Sequence, residues 1–561
     1  MIFKIYKHLP ITIRSKLILL IFLSMSVSIF ETIGIASVLP ILQLIINKET
    51  FRDLYFFKYI NTNFQNIDFE SLLFFLLALL VIFFFIKSLI IYFFYKFQQN
   101  IIFELRTYLS EKILKNYLTA NYKYFFKKET SSMVRNVNQE TNRFCSGIVS
   151  NLISLNTEIF LLLLIFSSSI FFGLINSLFG IGILFFISFI IMKFLRKKVL
   201  YWGKLRQYYD GKNLKILQEI FYNFKEIKLY ERFTFFIKKF NKSHHKTCEA
   251  DKRQGVLLQI PRIILELVSV ISFVIILIVL ITNYDPKIFL PILGVYAVAI
   301  FRIVPSVSRI LTSIQNIRFD KPSLNVIYNE IKYSTKNKVN FQKINFKKSI
   351  VMKNVVFYYN NKSDLLKKIN IKILKNSIFG IVGKTGSGKS TLIEILCGLL
   401  KPINGQIEVD GKPINIYENK KWLKKFSYVQ QNIKLLDSTV KENIIFDKKN
   451  NVDYKLLKLA IKISCLDKVL KKLNLGINTK IGDLGKKLSG GERQRIGIAR
   501  AIYNKSQIIL LDEATNALDE TTERDILYNI KKHCTDQTII FITHKVNNLK
   551  FCNNYINLDA S

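Results

Sequence analysis

Cysteine is scarce in this 561-residue chain, and the cysteines it has form no pattern. Cys145, Cys248, Cys397, Cys465, Cys534 and Cys552 include no CxxC pair and no zinc-ligand spacing, so neither a disulfide framework nor a structural zinc site is expected. Acidic side chains are also few: 40 Asp and Glu stand against 82 Lys and Arg, a formal charge of +42. In a soluble protein that excess would point to nucleic acid, because basic patches displace counterions from phosphates. Here much of it is Lys spread beside abundant Ile, Asn and Phe, the pattern of an AT-rich coding bias, and in the first half it falls in the polar connections between apolar runs. No nucleic-acid partner is therefore expected. No short apolar stretch with a small-residue cleavage site opens the chain, so no removable signal peptide is expected. No short-period repeat is present.

What the sequence has in abundance is long apolar runs. Half of its residues are hydrophobic and its mean hydropathy is positive despite the cations, so the two populations must be segregated along the chain. Six runs, at 17–46, 71–94, 150–175, 178–195, 259–282 and 288–311, come near or above the ~20 residues a bilayer requires. We expect an all-α six-helix transmembrane domain over residues 1–325. The connections 96–148 and 196–256 are long, polar and rich in Lys and Arg, whereas the turn Asn176-Ser177 is uncharged and the link 283–287 is short. The positive-inside rule then places the long connections and both termini in the cytoplasm. Segment 47–70 is expected outside, as a short amphipathic helix on the outer leaflet or as an ordinary loop. A polar, Lys- and Asn-rich stretch at 326–348 reads as a linker. Over 349–561, β-rich runs such as 378–382, 508–511 and 538–542 alternate with helical segments, as in an α/β domain with a largely parallel sheet.

The strongest chemical signal is Gly383-Lys384-Thr385-Gly386-Ser387-Gly388-Lys389-Ser390-Thr391, set between an apolar strand and an apolar helix. Glycines let such a backbone curl its N–H groups toward phosphate oxygens, and the helix N-terminus adds positive dipole. Lys389 is expected to reach the β- and γ-phosphates of ATP, with the Ser390 hydroxyl on Mg²⁺. A second signal is Ile508-Ile509-Leu510-Leu511-Asp512-Glu513, a buried strand ending in two carboxylates. Asp512 is placed to hold the magnesium and Glu513 to polarise the attacking water. The third is Leu488-Ser489-Gly490-Gly491-Glu492-Arg493-Gln494, ahead of a helix over 495–502.

That third motif resembles the signature of ATP-binding cassette proteins, and it stands shortly before the paired carboxylates as that family requires. Its helix N-terminus, with Ser489, Gly490 and Gly491, is a second phosphate cradle, and two domains arranged head to tail could close both cradles on one ATP. Further family positions match. Tyr359 resembles the aromatic residue that stacks on adenine, Gln431 the glutamine that senses magnesium and the attacking water, His544 the switch histidine on the γ-phosphate, and Asp519 the loop that crosses to the partner domain. Asn516 and Glu492 replace the family's commoner Ser and Gln. The resemblance covers the whole chain, six spans first and the phosphate-loop ATPase second, in the order of half-size exporters. It implies a homodimer with two equivalent composite ATP sites, and coupling helices near 122–128 and 219–228 resting on the ATPase surface beside Gln431.

Intramembrane charge is expensive and usually functional. Lys87 falls in the second span, Arg262 at the start of the fifth, Arg302 and Arg309 in the sixth, with Glu31 and Glu266 in spans one and five. Salt bridges such as Arg262 with Glu266 at i,i+4 explain them structurally; a cavity for an anionic head group explains them functionally. Segments around Phe30-Glu31-Thr32-Ile33-Gly34, Ile260-Pro261-Arg262 and Arg302-Ile303-Val304-Pro305 look like those of the bacterial lipid-linked oligosaccharide flippase of the N-glycosylation pathway. That resemblance implies a polyprenyl-pyrophosphate-linked oligosaccharide as cargo, engaged by Lys87, Arg262 and Arg302, in a bacterial inner membrane whose lipid surrounds the spans. Another lipid or a peptide is the alternative cargo. The chain begins near its first span with no Cys-protease domain ahead of it, which makes leader-peptide export the less expected of these.

Overall fold

The computed structural model describes residues 1–37, 69–171, 175–283, 286–334, 343–358, 366–417, 419–446, 452–482 and 485–559. They form two compact units, Met1–Ala120 with Lys127–Lys336, and Asn121–Phe126 with Asn337–Ser561.

The first unit is helical throughout its described residues. In chain order it contains α1 (Ile2–Lys7), α2 (Ile11–Ala36), α3 (Phe69–Leu118), α4 (Tyr122–Lys127, which straddles the unit boundary), α5 (Thr130–Arg135), α6 (Ser150–Phe171), α7 (Ile175–Tyr222), α8 (Phe224–Leu229), α9 (Phe233–Asn283), α10 (Pro286–Phe319) and α11 (Lys321–Ser334). Two π-helical turns, Asn136–Glu140 and Arg143–Val149, lie between α5 and α6. The described parts of the six expected spans fall in α2, α3, α6, α7, α9 and α10. Helices α3, α7 and α9, of 50, 48 and 51 residues, run far beyond the ~30 Å of a hydrocarbon core at 1.5 Å per residue. Among the described residues, four helical stretches are long and apolar enough to cross a membrane. Phe74, Phe75, Val81, Ile82 and Phe85 of α3 are exposed, which suits a helix whose apolar side is solvated by lipid.

The stretch 326–348 begins as helix, because Leu324, Ile327 and Ile331 bury one stripe of α11 at helical spacing and its Lys and Asn residues occupy the rest of the surface. The outer helix or loop at 47–70 lies almost wholly outside the described residues.

The second unit stacks two sheets. Strands β1 (Ser349–Phe357), β2 (Leu366–Leu374), β4 (Asn404–Val409) and β5 (Lys412–Pro413) make an antiparallel sheet in the order β2-β1-β4-β5. Strands β3 (Ile378–Val382), β6 (Phe426–Val429), β7 (Ile508–Asp512), β8 (Thr538–Ile542) and β9 (Asn554–Asn557) make a parallel sheet in the order β6-β7-β8-β3-β9. Strands β7 and β8 are buried along their whole length, which is why they read as unbroken apolar runs. Helices α12 (Lys389–Leu396), α13 (Gly490–Tyr503) and α14 (Glu520–His533) belong to this unit. Because β3, β6, β7 and β8 are parallel, their carboxyl ends share one edge, where open α/β sheets bind ligands.

Candidate active site

All the chemical motifs but the signature segment leave the sheet at that shared edge. The phosphate loop follows β3, Gln431 follows β6, Asp512 and Glu513 end β7, and His544 follows β8. The sheet topology thus gathers residues up to 161 positions apart in sequence, from Gly383 to His544.

The loop can be built only with glycine at its turns. Gly386 and Gly388 have φ of +91° and +89°, in the left-handed region, and Gly388 caps α12. At Gly383 a Cβ would stand 2.6 Å from Ser387 Oγ. Lys389 is buried, and its Nζ donates to the Gly383 and Lys384 carbonyls at 2.7 and 2.9 Å, which draws the amine into the curl of the loop. The Lys384 N–H donates to Asp559 at 2.8 Å. Ser387 Oγ is buried with no hydrogen-bond partner, and a buried polar atom left so costs about 1–3 kcal/mol unless a ligand satisfies it. That orphan, the glycine turns and the helix N-terminus fit a polyphosphate. Thr385, Ser390 and Thr391 complete the loop and the first turn of α12. Tyr359, the expected adenine-stacking residue, lies outside the described residues.

The carboxylates sit in different environments. Asp512 is buried and accepts a 2.7 Å hydrogen bond from the Tyr428 hydroxyl; burial pushes its carboxyl up, and the Tyr428 bond opposes that rise. Burial first, then the Asp512 charge, push the Tyr428 hydroxyl up in turn. Glu513 takes a left-handed φ of +49° and is held by three groups. Gln431 Nε2 donates to its Oε2 at 2.6 Å, Asn516 Nδ2 to the same oxygen at 2.8 Å, and His544 Nε2 stands 2.5 Å from Oε1. Of the two neighbouring glutamines, it is Gln431 that faces the carboxylate. Ser390, Gln431 and Asp512 are the groups available to a magnesium ion, an oxygen-only set of the kind Mg²⁺ prefers.

The signature segment is a capped helix start. Ser489 Oγ accepts from the Glu492 N–H while Glu492 Oε2 accepts from the Ser489 N–H, a reciprocal box that explains why Glu serves where Gln is commoner. Gly490 and Gly491 allow close approach: a Cβ on Gly491 would lie 2.9 Å from the Ala517 carbonyl oxygen. Gln494 Oε1 accepts from the Ala517 N–H at 3.0 Å, tying this helix to the loop that follows the carboxylates. Asp519 then caps α14 through the Thr522 N–H, and the Thr521 hydroxyl, together with that N–H, holds its carboxyl below the usual range. Sequence reasoning did not assign Tyr428, Asn516, Gln494 or Asp559 a role. Gln494 alone lies in a quoted motif, and each of the four acts through a partner brought in by the sheet or the turn.

In the helical unit, Arg262 Nε pairs with Glu266 at 3.0 Å, and both are largely exposed. Arg302 pairs with Glu31, and Arg309 with Glu158. Lys87 Nζ lies 4.8 Å from the Phe84 ring centre and close enough to Gly34 that a Cβ there would be 3.3 Å away. The structure thus brings Lys87 and Arg302 to one face of α2, at Gly34 and Glu31, and leaves Arg262 in an intrahelical pair. Helix α4 covers most of the first expected coupling segment; Tyr122, grouped with the second unit, donates to Glu394 at 3.1 Å. The helix break at Asn223 and α8 occupy the second.

Comparison with known families settles what this architecture is. The ABC transporter model matches residues 366–516, and the ABC transporter transmembrane region model matches residues 17–284. The chain belongs to the ABC transporter family. Both matched parts lie in one chain, the transmembrane region before the ATP-binding part, as in a half-transporter. An export ATP-binding/permease protein of Rickettsia prowazekii is 41% identical over 204 residues, 36% of this chain and 35% of that one. A leukotoxin translocation ATP-binding protein of Mannheimia glucosida is 37% identical over 203 residues, 36% of this chain and 28% of that one. These alignments span about a third of the curated relatives' length. A bacterial Atm1-family ABC exporter solved with ATP bound shares the fold, with a TM-score of 0.79 at 17% identity, covering 98% of this chain and 93% of that one.

Proposed function

We propose that the chain is an ATP-driven exporter, working as a homodimer with two composite ATP sites in a bacterial inner membrane, its ATPase domain in the cytoplasm. The observation that carries this is the meeting of Lys389, Gln431, Asp512, Glu513 and His544 along one sheet edge, in a chain whose described residues also hold six long helices. Lys389 and the loop N–H groups bind the phosphates; Ser390, Gln431 and Asp512 hold magnesium. Glu513, oriented by Gln431, Asn516 and His544, accepts the proton of the attacking water. Magnesium-ATP supplies the phosphoanhydride whose hydrolysis resets the dimer.

For the cargo, the reading is a polyprenyl-pyrophosphate-linked oligosaccharide moved from the cytoplasmic to the periplasmic leaflet. It is supported by the three segments that resemble the flippase and by the convergence of Lys87 and Arg302 on one face of α2, where a pyrophosphate could displace Glu31 from Arg302. Arg262, already paired with Glu266, contributes less. A polypeptide cargo is the second reading, favoured by the leukotoxin translocation proteins among the relatives.

The test uses purified chain in sealed vesicles with fluorescent lipid-linked oligosaccharide. Wild type should flip the lipid on ATP addition, Glu513→Gln should stop both hydrolysis and flipping, and Arg302→Ala should stop flipping while sparing ATPase. ATP hydrolysis with the lipid left in place would remove this cargo and leave the exporter.

A further inference from the structure

Beyond the ATP site, the helical unit contains an ionic cluster that the transport chemistry does not use. Arg206 of α7 is about 1% exposed; its Nη1 bonds Asp320 Oδ1 at 3.0 Å and its Nε lies 3.7 Å from Asp210. Arg143, in the second π-turn, bonds the same Asp210 at 3.2 Å. Next to them Glu140, also about 1% exposed, takes Arg135 at 3.3 Å and Gln207 Nε2 at 2.9 Å. Three arginines therefore face three carboxylates, with the charge of Asp251 also bearing on Asp210.

The backbone is shaped around it. A Cβ on Gly147 would fall 1.8 Å from Asp320 Oδ2, one on Gly203 2.1 Å from the Phe319 carbonyl oxygen, and one on Gly211 2.4 Å from Arg135 Nη1. Gly203 is thus required for the close approach of the two backbones, Gly147 and Gly211 make room for the ends of the Asp320 and Arg135 side chains, and the Arg206 guanidinium lies 4.4 Å from the Phe319 ring centre. The π-turns Asn136–Glu140 and Arg143–Val149 carry Glu140, Arg143 and Gly147. Such turns are rare and usually mark function. Burying ion pairs gives little net stability compared with apolar packing, and Arg206 Nη2 stays without a hydrogen-bond partner, so stability alone does not account for the arrangement.

We propose that this cluster is a rigid joint that fuses the cytoplasmic extensions of α6 (through its π-turns), α7 and α10 into one body, so that these helices move as a unit. Arg206 and Asp320 are its positioning residues. The backbone approach at Gly203 and the paired charges leave the joint one arrangement, which is what lets a long helix transmit displacement without bending. Its significance for transport rests on the exporter reading; the joint itself does not.

Double electron–electron resonance on the full-length chain in lipid nanodiscs tests it. Exposed Ser146 and Tyr208 would be replaced by spin-labelled Cys, with exposed Cys248 replaced by Ser, and labelled chains diluted in unlabelled ones. We expect one narrow distance, shifting by no more than ~1–2 Å between nucleotide-free protein and protein trapped with ATP and vanadate. Asp320→Asn, which leaves Arg206 uncompensated, should broaden it. A wild-type shift of ~5 Å, the size of a one-turn slip, overturns the joint, as does a distance that Asp320→Asn leaves sharp. If Asp320→Asn fails to express, the wild-type comparison decides alone. A label at Tyr222, read between chains, should move on trapping; its failure to move would count against ATP-driven export and not against the joint.

Discussion

Removing the Asn516 side chain isolates how Glu513 is aimed. Asn516 Nδ2 donates to Glu513 Oε2 at 2.8 Å, alongside Gln431 at 2.6 Å on the same oxygen, with His544 on the other. A hydrogen bond to a charged group contributes about 1.5–3 kcal/mol, and each ~1.4 kcal/mol is tenfold in rate. Two of the three partners remain in Asn516→Ala, so the lower part of that range applies, and kcat for ATP hydrolysis should fall about tenfold. Asn516 has no role in the phosphate loop, so KM for ATP should stay within about twofold. Asn516→Ser, which keeps a donor on a shorter side chain, should recover part of the loss. Steady-state ATPase at saturating magnesium reads both constants, and a double-mutant cycle with Gln431→Ala should show coupling of about 0.5–3 kcal/mol because the two share an oxygen. A raised KM with kcat intact, or strict additivity of the two substitutions, would refute this account of Glu513.

Other consequences are equally direct. Tyr428 donates to the ionised form of Asp512, so Tyr428→Phe should raise that carboxyl further above the ordinary Asp value; magnesium binding needs it ionised, so the acid limb of the magnesium-dependent rate should move to higher pH, and an unmoved limb would deny the contact. Gly491→Ala drives a Cβ to 2.9 Å from the Ala517 carbonyl oxygen and should displace the loop to Asp519, lowering hydrolysis while ATP binding to the phosphate loop, read by a fluorescent analogue, is retained. Among the cysteines, exposed Cys248 should react with maleimide at neutral pH well before Cys534 and Cys552, whose thiols burial pushes up to about 11.

Apolar runs, glycine spacing and strand-end carboxylates are local signals, so the helical unit, the sheet and the catalytic motifs were legible in the sequence. What was not legible depends on distant partners. Tyr428 reads as an ordinary strand aromatic until β6 is laid beside β7 and its hydroxyl meets Asp512. Asn516 stands at a position where Ser is commoner, and only the left-handed turn at Glu513 reveals what its amide reaches. Arg206 looks like one more cytoplasmic cation, since its partner Asp320 is 114 residues away. The helix over Lys321–Ser334 hid under its Lys and Asn residues because its buried stripe is narrow. Arg262 is the converse: its i,i+4 spacing to Glu266 offered the ion pair beside the expected head-group contact, and the pair is what the structure shows.

The central claim is that two chains complete each other's ATP sites. Chains carrying Thr385→Cys in the phosphate loop and chains carrying Ser489→Cys in the signature would be mixed, both with Glu513→Gln to hold the bound state and Cys248→Ser to remove the exposed thiol. A short thiol cross-linker should produce a band of doubled mass only when magnesium-ATP is present. The same band without nucleotide, or no band with it, would contradict the composite site.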